Sequence, residues 1–109
     1  FTMYARKVSM KLKQSSSADF TKRLEADVIP LLRKQKGFQN EIAFATPDGR
    51  KAFGISLWDR KESAEAYEEK AYPQVKKLMD SVSDGDARIE GFEVSASTLH
   101  TTPAAATTR

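Results

Sequence analysis

Residues 52–78 constrain the fold most, because a strand pattern is followed there directly by a helix pattern. Over residues 52–58 the side chains alternate between two sides of a predicted strand. One side is bulky and apolar, with Phe53, Ile55 and Leu57. The other is small or polar and ends in the only Trp of the chain, with Gly54, Ser56 and Trp58. We expect helices to cover the bulky side and the other side to stay open to a partner or a ligand.

The helix that follows the strand is predicted to be interrupted. Asp59, with Glu62 three residues later, resembles a capping box and predicts the helix start. Apolar residues then recur at helical spacing, and Tyr67 lies among them. Tyr72 followed by Pro73 predicts a break, after which the helical pattern resumes to Val82.

The other segments complete a β-α-β-β-α-β order. They are, in sequence, a strand over residues 3–13, a helix from Ala18 to a stop at Gly37, a strand over 38–46, a turn over 47–50, a loop over 83–87 and a strand within 88–100. Pro30 lies inside the helix and should kink it or leave one carbonyl unpaired. The turn predicts an antiparallel hairpin. This order predicts an α+β, ferredoxin-like fold, with a four-stranded antiparallel sheet and two helices on one face.

Two helices cover only one face of such a sheet, so the other face needs another occupant. The residues predicted on that open face are small and uncharged: Ala43, Ala45, Gly54, Ser56, Trp58, Ser95 and Ser97. We therefore expect a homodimer through the open sheet face. Residues 1–100 are predicted to form the single domain, and residues 101–109 a flexible tail.

Composition excludes several classes of protein. The 109 residues suit one domain, and no apolar run is long enough for a membrane span or a signal peptide, so the expected location is the cytoplasm. The chain has no Cys, which removes disulfides and thiolate chemistry. The net charge of +3 comes from mixed charges on helix surfaces, so a nucleic-acid partner is not expected.

Several of these segments together resemble the antibiotic biosynthesis monooxygenase domain. The resemblance covers roughly residues 3–100 and rests on a first strand ending near Leu12, the sequence Lys36-Gly37-Phe38, the hairpin, the sequence Ser56-Leu57-Trp58-Asp59, and Tyr67. It implies a dimeric α+β barrel with a pocket between each sheet and its helices. It also implies cofactor-independent oxidation of phenols, or haem degradation, in some members.

The chain departs from the family pattern at specific positions. Members that form quinones carry an Asn four residues before the Trp and a Tyr six residues after it, where this chain has Gly54 and Ala64. The axial His of haem-degrading members would fall near Lys77, and Lys is not an ordinary haem ligand at neutral pH. Haem degradation is therefore not expected, and the resemblance implies no cofactor.

Each candidate substrate-binding residue also has a structural interpretation. Trp58 could stack on a planar substrate or fill the barrel. Tyr67 and Tyr72 could hydrogen-bond a phenol, help to remove its proton, or belong to the core. Arg6 could orient an anionic ligand or snorkel at the sheet end.

Glu41 and Ser56 complete the candidate set. Glu41 could act as a base if burial raises the pKa of its carboxyl, or pair with a cation across the strands. Ser56 belongs to the open face and to the family motif. The only histidine, His100, has no visible carboxylate partner, and no metal site is predicted.

Two functions follow from these residues. The first is a cofactor-independent monooxygenase acting on a small planar phenolic or enolisable substrate. The alternative is a dimeric protein without catalytic activity that binds a small hydrophobic or aromatic ligand on the same scaffold. The sequence leaves both open, together with a barrel that side chains simply fill.

Overall fold

The computed structural model describes residues 3–98, which form one four-stranded antiparallel sheet with helices on one side. The elements are β1 (Tyr4–Lys11), α1 (Ser17–Arg23), a π-helical segment (Leu24–Val28), α2 (Ile29–Arg33), β2 (Phe38–Ala45), β3 (Lys51–Trp58), α3 (Lys61–Lys70), α4 (Tyr72–Met79) and β4 (Arg88–Glu93). The strand order is β2-β3-β1-β4, and each neighbouring pair is antiparallel. The predicted ferredoxin-like fold is confirmed.

Both predicted helices are divided at a proline. In the first, the Ile29 N–H donates to the carbonyl of Leu24, five residues back, which is the bond of a π turn. Pro30 follows directly and has no N–H to offer, so the regular bonding pattern changes at this point, as expected. In the second, α3 ends at Lys70, and α4 begins at Tyr72 with Pro73 in its first turn.

The turn between β2 and β3 is held by its own side chains. The Thr46 hydroxyl donates to Asp48 Oδ1 at 2.6 Å, and the Arg50 N–H donates to the same oxygen at 3.0 Å. Gly49 has φ +71°, a conformation that suits glycine. The predicted hairpin therefore forms, and it fixes the register of β2 against β3.

The side of the sheet that the helices cover is opposite to the predicted one. Trp58 is fully buried in the cluster shared with α1, α3 and α4, and Ser56 is buried on the same side of β3. Ala43 and Ala45 lie on this side too, since they pair in register with Gly54 and Ala52. The prediction was wrong because it was made from residues 52–58, where neither side of the strand has a charged residue to mark the face that meets water.

The open face is consequently the apolar one. Ile42, Phe44 and Phe92 are 41%, 43% and 48% exposed there, and the rings of Phe44 and Phe53 stack with centroids 4.6 Å apart. β4 ends at Glu93, so Ser95 and Ser97, which were predicted on the open face, lie beyond the strand.

Some sequence predictions fall outside the described residues. His100 and the predicted tail over residues 101–109 belong to this part of the chain. Within residues 3–98, none of the helices combines the length and the apolar character that a bilayer crossing requires.

Candidate functional site

Three neighbouring strands place polar side chains in one row on the helix-covered face. Glu41 of β2 pairs in register with Ser56 of β3, which pairs with Arg6 of β1. Directly paired residues in adjacent strands project to the same face, with Cβ atoms about 5 Å apart. The row therefore carries a carboxyl, a hydroxyl and a guanidinium beneath the helices, although 35 and 50 residues separate Glu41 and Ser56 from Arg6 in sequence.

Arg6 is held inside the protein rather than at the sheet end. Its side chain is 4% exposed, and its guanidinium carbon lies 4.3 Å from the ring centroid of Tyr72 and 5.3 Å from that of Tyr67. These distances are those of cation–π contacts. Arg6 Nε donates to Glu68 Oε1 at 3.1 Å, and that glutamate is half exposed on α3. Nη2 is buried and has no hydrogen-bond partner.

Trp58 packs next to this row and contacts both Ser56 and Tyr67. Its ring centroid lies 5.1 Å from that of Tyr67 and 5.5 Å from that of Phe38. The indole N–H donates to Ser56 Oγ at 2.9 Å, and the Ser56 hydroxyl donates to the carbonyl of Arg6 at 3.4 Å. Because Trp58 is 0% exposed, it fixes Ser56 and Tyr67 in place and does not itself form part of the cavity wall.

A cavity of about 70 Å³ lies between the sheet and the helices, and five of the six predicted residues line it. These are Arg6, Glu41, Ser56, Tyr67 and Tyr72. The remaining wall is mainly apolar and comes from the first helical stretch, β1 and α4, with Phe20, Leu24, Val28, Leu32, Val8, Met10, Val75 and Met79. If each water takes roughly 15 Å³ of the cavity, about five waters fit, and a single aromatic ring would occupy a similar space.

Glu41 is a carboxyl of the cavity with a strongly raised pKa. Burial raises the pKa of its carboxyl from 4.5 to about 7, and the positive charge of Arg6 opposes part of that rise. A carboxyl with this pKa exchanges a proton near neutral pH, which is what a general base or acid needs. Glu41 thus has the property that its predicted role as a base requires.

The two tyrosines have the opposite protonation preference. Burial raises the pKa of both Tyr67 and Tyr72 above the ordinary value of 10.0, with Arg6 opposing the rise in each case. Both phenols are therefore protonated at neutral pH and serve as hydrogen-bond donors. Of these three groups, Glu41 is therefore the one that removes a proton most readily.

Two further residues of the site were missed from the sequence. Gly54 lies beneath the carboxylate of Glu41, and a methyl group at position 54 would overlap Glu41 Oε2. Glu68, the ion-pair partner of Arg6, is 62 residues away in sequence. Gly54 within the strand was a usable signal, since a strand glycine often marks a point where another group approaches the backbone closely. Nothing in the sequence indicated the Arg6–Glu68 pair.

Metal ligands do not cluster in this site. Among residues 3–98, no group of three or more His, Cys, Asp and Glu side chains is arranged to hold a metal ion.

Comparison with known proteins identifies the fold. No family model matches the chain, and no curated protein does so either. Solved structures do match at low sequence identity. A protein of unknown function from Nitrosomonas europaea, NE2512, superposes with a TM-score of 0.76 at 17% identity and covers 93% of this chain and 97% of its own.

Two further matches have an oxygenase description. A Bordetella bronchiseptica protein, assigned provisionally as an antibiotic biosynthesis monooxygenase, has a TM-score of 0.74 at 12% identity over 88% of this chain and 100% of its own. SnoaB from Streptomyces nogalater, a cofactor-independent oxygenase, has a TM-score of 0.73 at 11% identity over 90% and 98%. The chain therefore has the fold of antibiotic biosynthesis monooxygenase-type proteins.

Proposed function

We propose that the protein is a cofactor-independent monooxygenase that oxidises a small planar phenolic or enolisable compound in the cavity beneath α3 and α4. The observation that carries this proposal is the position of Glu41, a carboxyl with a pKa of about 7 that faces a largely apolar cavity next to two protonated tyrosines. The oxygenase description of structurally similar proteins supports the same reaction class.

The chemistry needs only a base and a dry space. Glu41 removes the phenolic proton, and the resulting phenolate transfers one electron to O₂. Superoxide and the phenoxyl radical then combine at a ring carbon to form a peroxide. Loss of the ring proton forms the second carbonyl as the O–O bond breaks, and the leaving oxygen takes protons to become water. One phenol and one O₂ thus give one quinone and one water.

The surrounding residues serve this sequence in distinct ways. The protonated Glu41 remains beside the new phenolate and can donate a hydrogen bond to it. Apolar walls such as Leu24 and Met79 exclude water, which would otherwise compete for the peroxide and screen the charges. Trp58 and Ser56 keep the cavity wall in place through their hydrogen bond.

Oxygen uptake tests this proposal. We would supply single-ring phenols and 1,3-diketones to the full chain and follow O₂ with an electrode. We expect one O₂ per product, and a drop in kcat of at least about a hundredfold for Glu41→Gln, because general bases commonly contribute this much. Glu65→Gln, at an exposed position of α3, is the matched control and should keep full activity.

Two outcomes would contradict the enzyme. If ligands bind but no compound consumes O₂, the protein is the non-catalytic binding protein that the sequence also allowed. If Glu41→Gln retains full turnover, another group takes the proton.

We also propose that a second copy of the chain covers the open sheet face. The support is the row of exposed apolar side chains on that face, including Ile42, Phe44 and Phe92. The same face carries both signs of charge, since Lys7 pairs in register with Glu90. Such a surface can match itself across a two-fold axis, whereas apolar patches of this kind are rarely left in water.

A further inference from the structure

Arg6 has no task in the proton transfer proposed for Glu41, yet its burial is costly for the protein. A guanidinium keeps its charge at every physiological pH, so burial in this cavity wall cannot be relieved by loss of a proton. The side chain is 4% exposed, and its only ion pair within residues 3–98 is formed with Glu68. Because Glu68 is half exposed, water weakens that pair.

The other charges around the cavity do not pair with this cation. Lys76 and Asp80 line the cavity with one charge of each sign, and within residues 3–98 neither forms an ion pair with Arg6. Glu41, the acidic neighbour in the same row, carries a proton for much of the time near neutral pH. Tyr67 and Tyr72 face Arg6 as neutral rings. One terminal nitrogen, Nη2, is buried with its hydrogens unused. The polar end of the cavity therefore has a positive charge and a free donor.

We propose that Arg6 forms an anion-binding subsite in this cavity, and that the natural ligand is a planar aromatic or enolisable acid bound through its carboxylate. A carboxylate is planar, as the guanidinium is, and charge-assisted bonds between the two are short and strong. The ring of the ligand then lies along the apolar wall made by residues such as Leu24 and Val28. The subsite names the substrate class of the proposed oxygenase and rests on that function for its biological role.

The subsite also explains the placement of the two tyrosines. Tyr67 and Tyr72 contact the guanidinium through their rings, and Tyr72 also accepts a hydrogen bond from Arg6. Glu68 accepts the hydrogen bond of Nε, on one side of the guanidinium. Nη2, the buried nitrogen that has no hydrogen-bond partner, is thus the part of the guanidinium left to meet a ligand.

A matched pair of compounds tests the subsite. Benzoate and benzamide have nearly the same shape and differ in charge, and O₂ oxidises neither under these conditions. We would measure their affinities for the full chain by isothermal titration calorimetry at pH 6, where Glu41 is mostly protonated. We expect benzoate to bind at least about tenfold more tightly than benzamide, as a charged hydrogen bond provides.

Three variants assign the effect to Arg6. Arg6→Gln should remove the preference for benzoate, and circular dichroism will show whether this variant folds. Glu68→Gln changes only a half-exposed residue and frees Arg6 from its ion pair, so benzoate affinity should rise severalfold. Lys22→Gln, at an exposed position of α1, should change neither affinity.

The results separate this inference from the oxygenase itself. Three results would overturn the subsite: equal affinities for the two compounds, no binding of benzoate at about 10 mM, or an unchanged preference in Arg6→Gln. If benzoate binds through Arg6 while no phenol consumes O₂, the subsite stands and the oxygenase fails. If neutral phenols are oxidised and benzoate does not bind, the oxygenase stands without the subsite.

Discussion

The two faces of the sheet differ in a way that reverses the usual expectation. The helix-covered face contains small and polar side chains, with Gly54, Ser56 and Arg6 near its centre. The open face has large apolar ones, with Phe44 stacked on Phe53. In a protein that worked as a monomer we would expect the large apolar side chains beneath the helices.

The difference teaches that the covered face is built around a space. Small residues on the strands leave room that the helices do not fill, and the polar row at one end supplies the charges. Trp58 is the exception, since it fills the end of the same face completely and anchors Tyr67. The open face needs no such space and keeps its apolar surface for contact with another molecule.

Truncation of Trp58 should have the largest effect on the covered face. Trp58→Ala removes a fully buried indole and should lower the free energy of unfolding by about 4 kcal/mol. Urea unfolding followed by circular dichroism measures this, since the variant has no tryptophan. Trp58→Phe is the control and should lower the free energy of unfolding by less, because the ring keeps most of the packing. It loses only the rest of the indole and its hydrogen bond to Ser56. A loss below about 1 kcal/mol for the Ala variant would show that the indole is not a core residue.

A charge on the open face should have the next largest effect, on assembly rather than on folding. Phe44→Glu should weaken the proposed dimer about a hundredfold, because a charge would replace an apolar ring that is 43% exposed in the single chain and that the partner would bury. Sedimentation velocity at several concentrations measures the change. Ile89→Glu is the matched control, because Ile89 is 40% exposed and points to the other side of the sheet, in register with Val8. Equal dimerisation of the two variants would remove the open face from the interface.

Replacement of Glu41 should have the smallest effect, and its sign depends on pH. The pKa of Glu41 is about 7 in the folded protein against 4.5 for an ordinary Glu. Between these values the folded state holds a proton that the unfolded chain has released, so stability falls as pH rises from about 4.5 to about 7. Glu41→Gln should therefore match the wild type at pH 4 and be about 2 kcal/mol more stable at pH 8, which is less than the full pKa difference would give because Glu41 is partly exposed.

Denaturation at several pH values measures this difference. Several charged or titratable groups surround Glu41 and Arg6 and could change the curve: Tyr67 and Glu68 on α3, Tyr72 and Lys76 on α4, and Asp80 directly after α4. Parallel curves for variant and wild type would show that burial does not raise the pKa of Glu41.

The sequence was sufficient for the fold and for most of the candidate site, and the reasons can be stated for particular residues. Period-two and helical patterns, with Pro30, Gly37 and Pro73 as breaks, located every element because these effects are local. Arg6 and Glu41 were recognisable as charges at positions that strands usually bury.

What the sequence could not show depended on contacts between distant segments. The choice of covered face required the fit of Trp58 against Tyr67, and the ion pair of Arg6 required the position of Glu68 on α3. The unusual pKa of Glu41 required the burial of its carboxyl in the cavity that the sheet forms with the helices. None of these is fixed by local spacing.

The π turn before Pro30 has a consequence for the shape of the cavity wall. Phe20, Leu24, Val28 and Leu32 line the cavity at intervals of four residues. In a regular α-helix such a series winds around the axis by about 40° at each step, so its last member would point well away from the first. A π turn takes more residues than an α turn, and this slower rotation offsets part of the drift between Leu24 and Val28. The single π turn thus keeps the four side chains closer to one side of the helix, and they form a continuous apolar wall of the cavity.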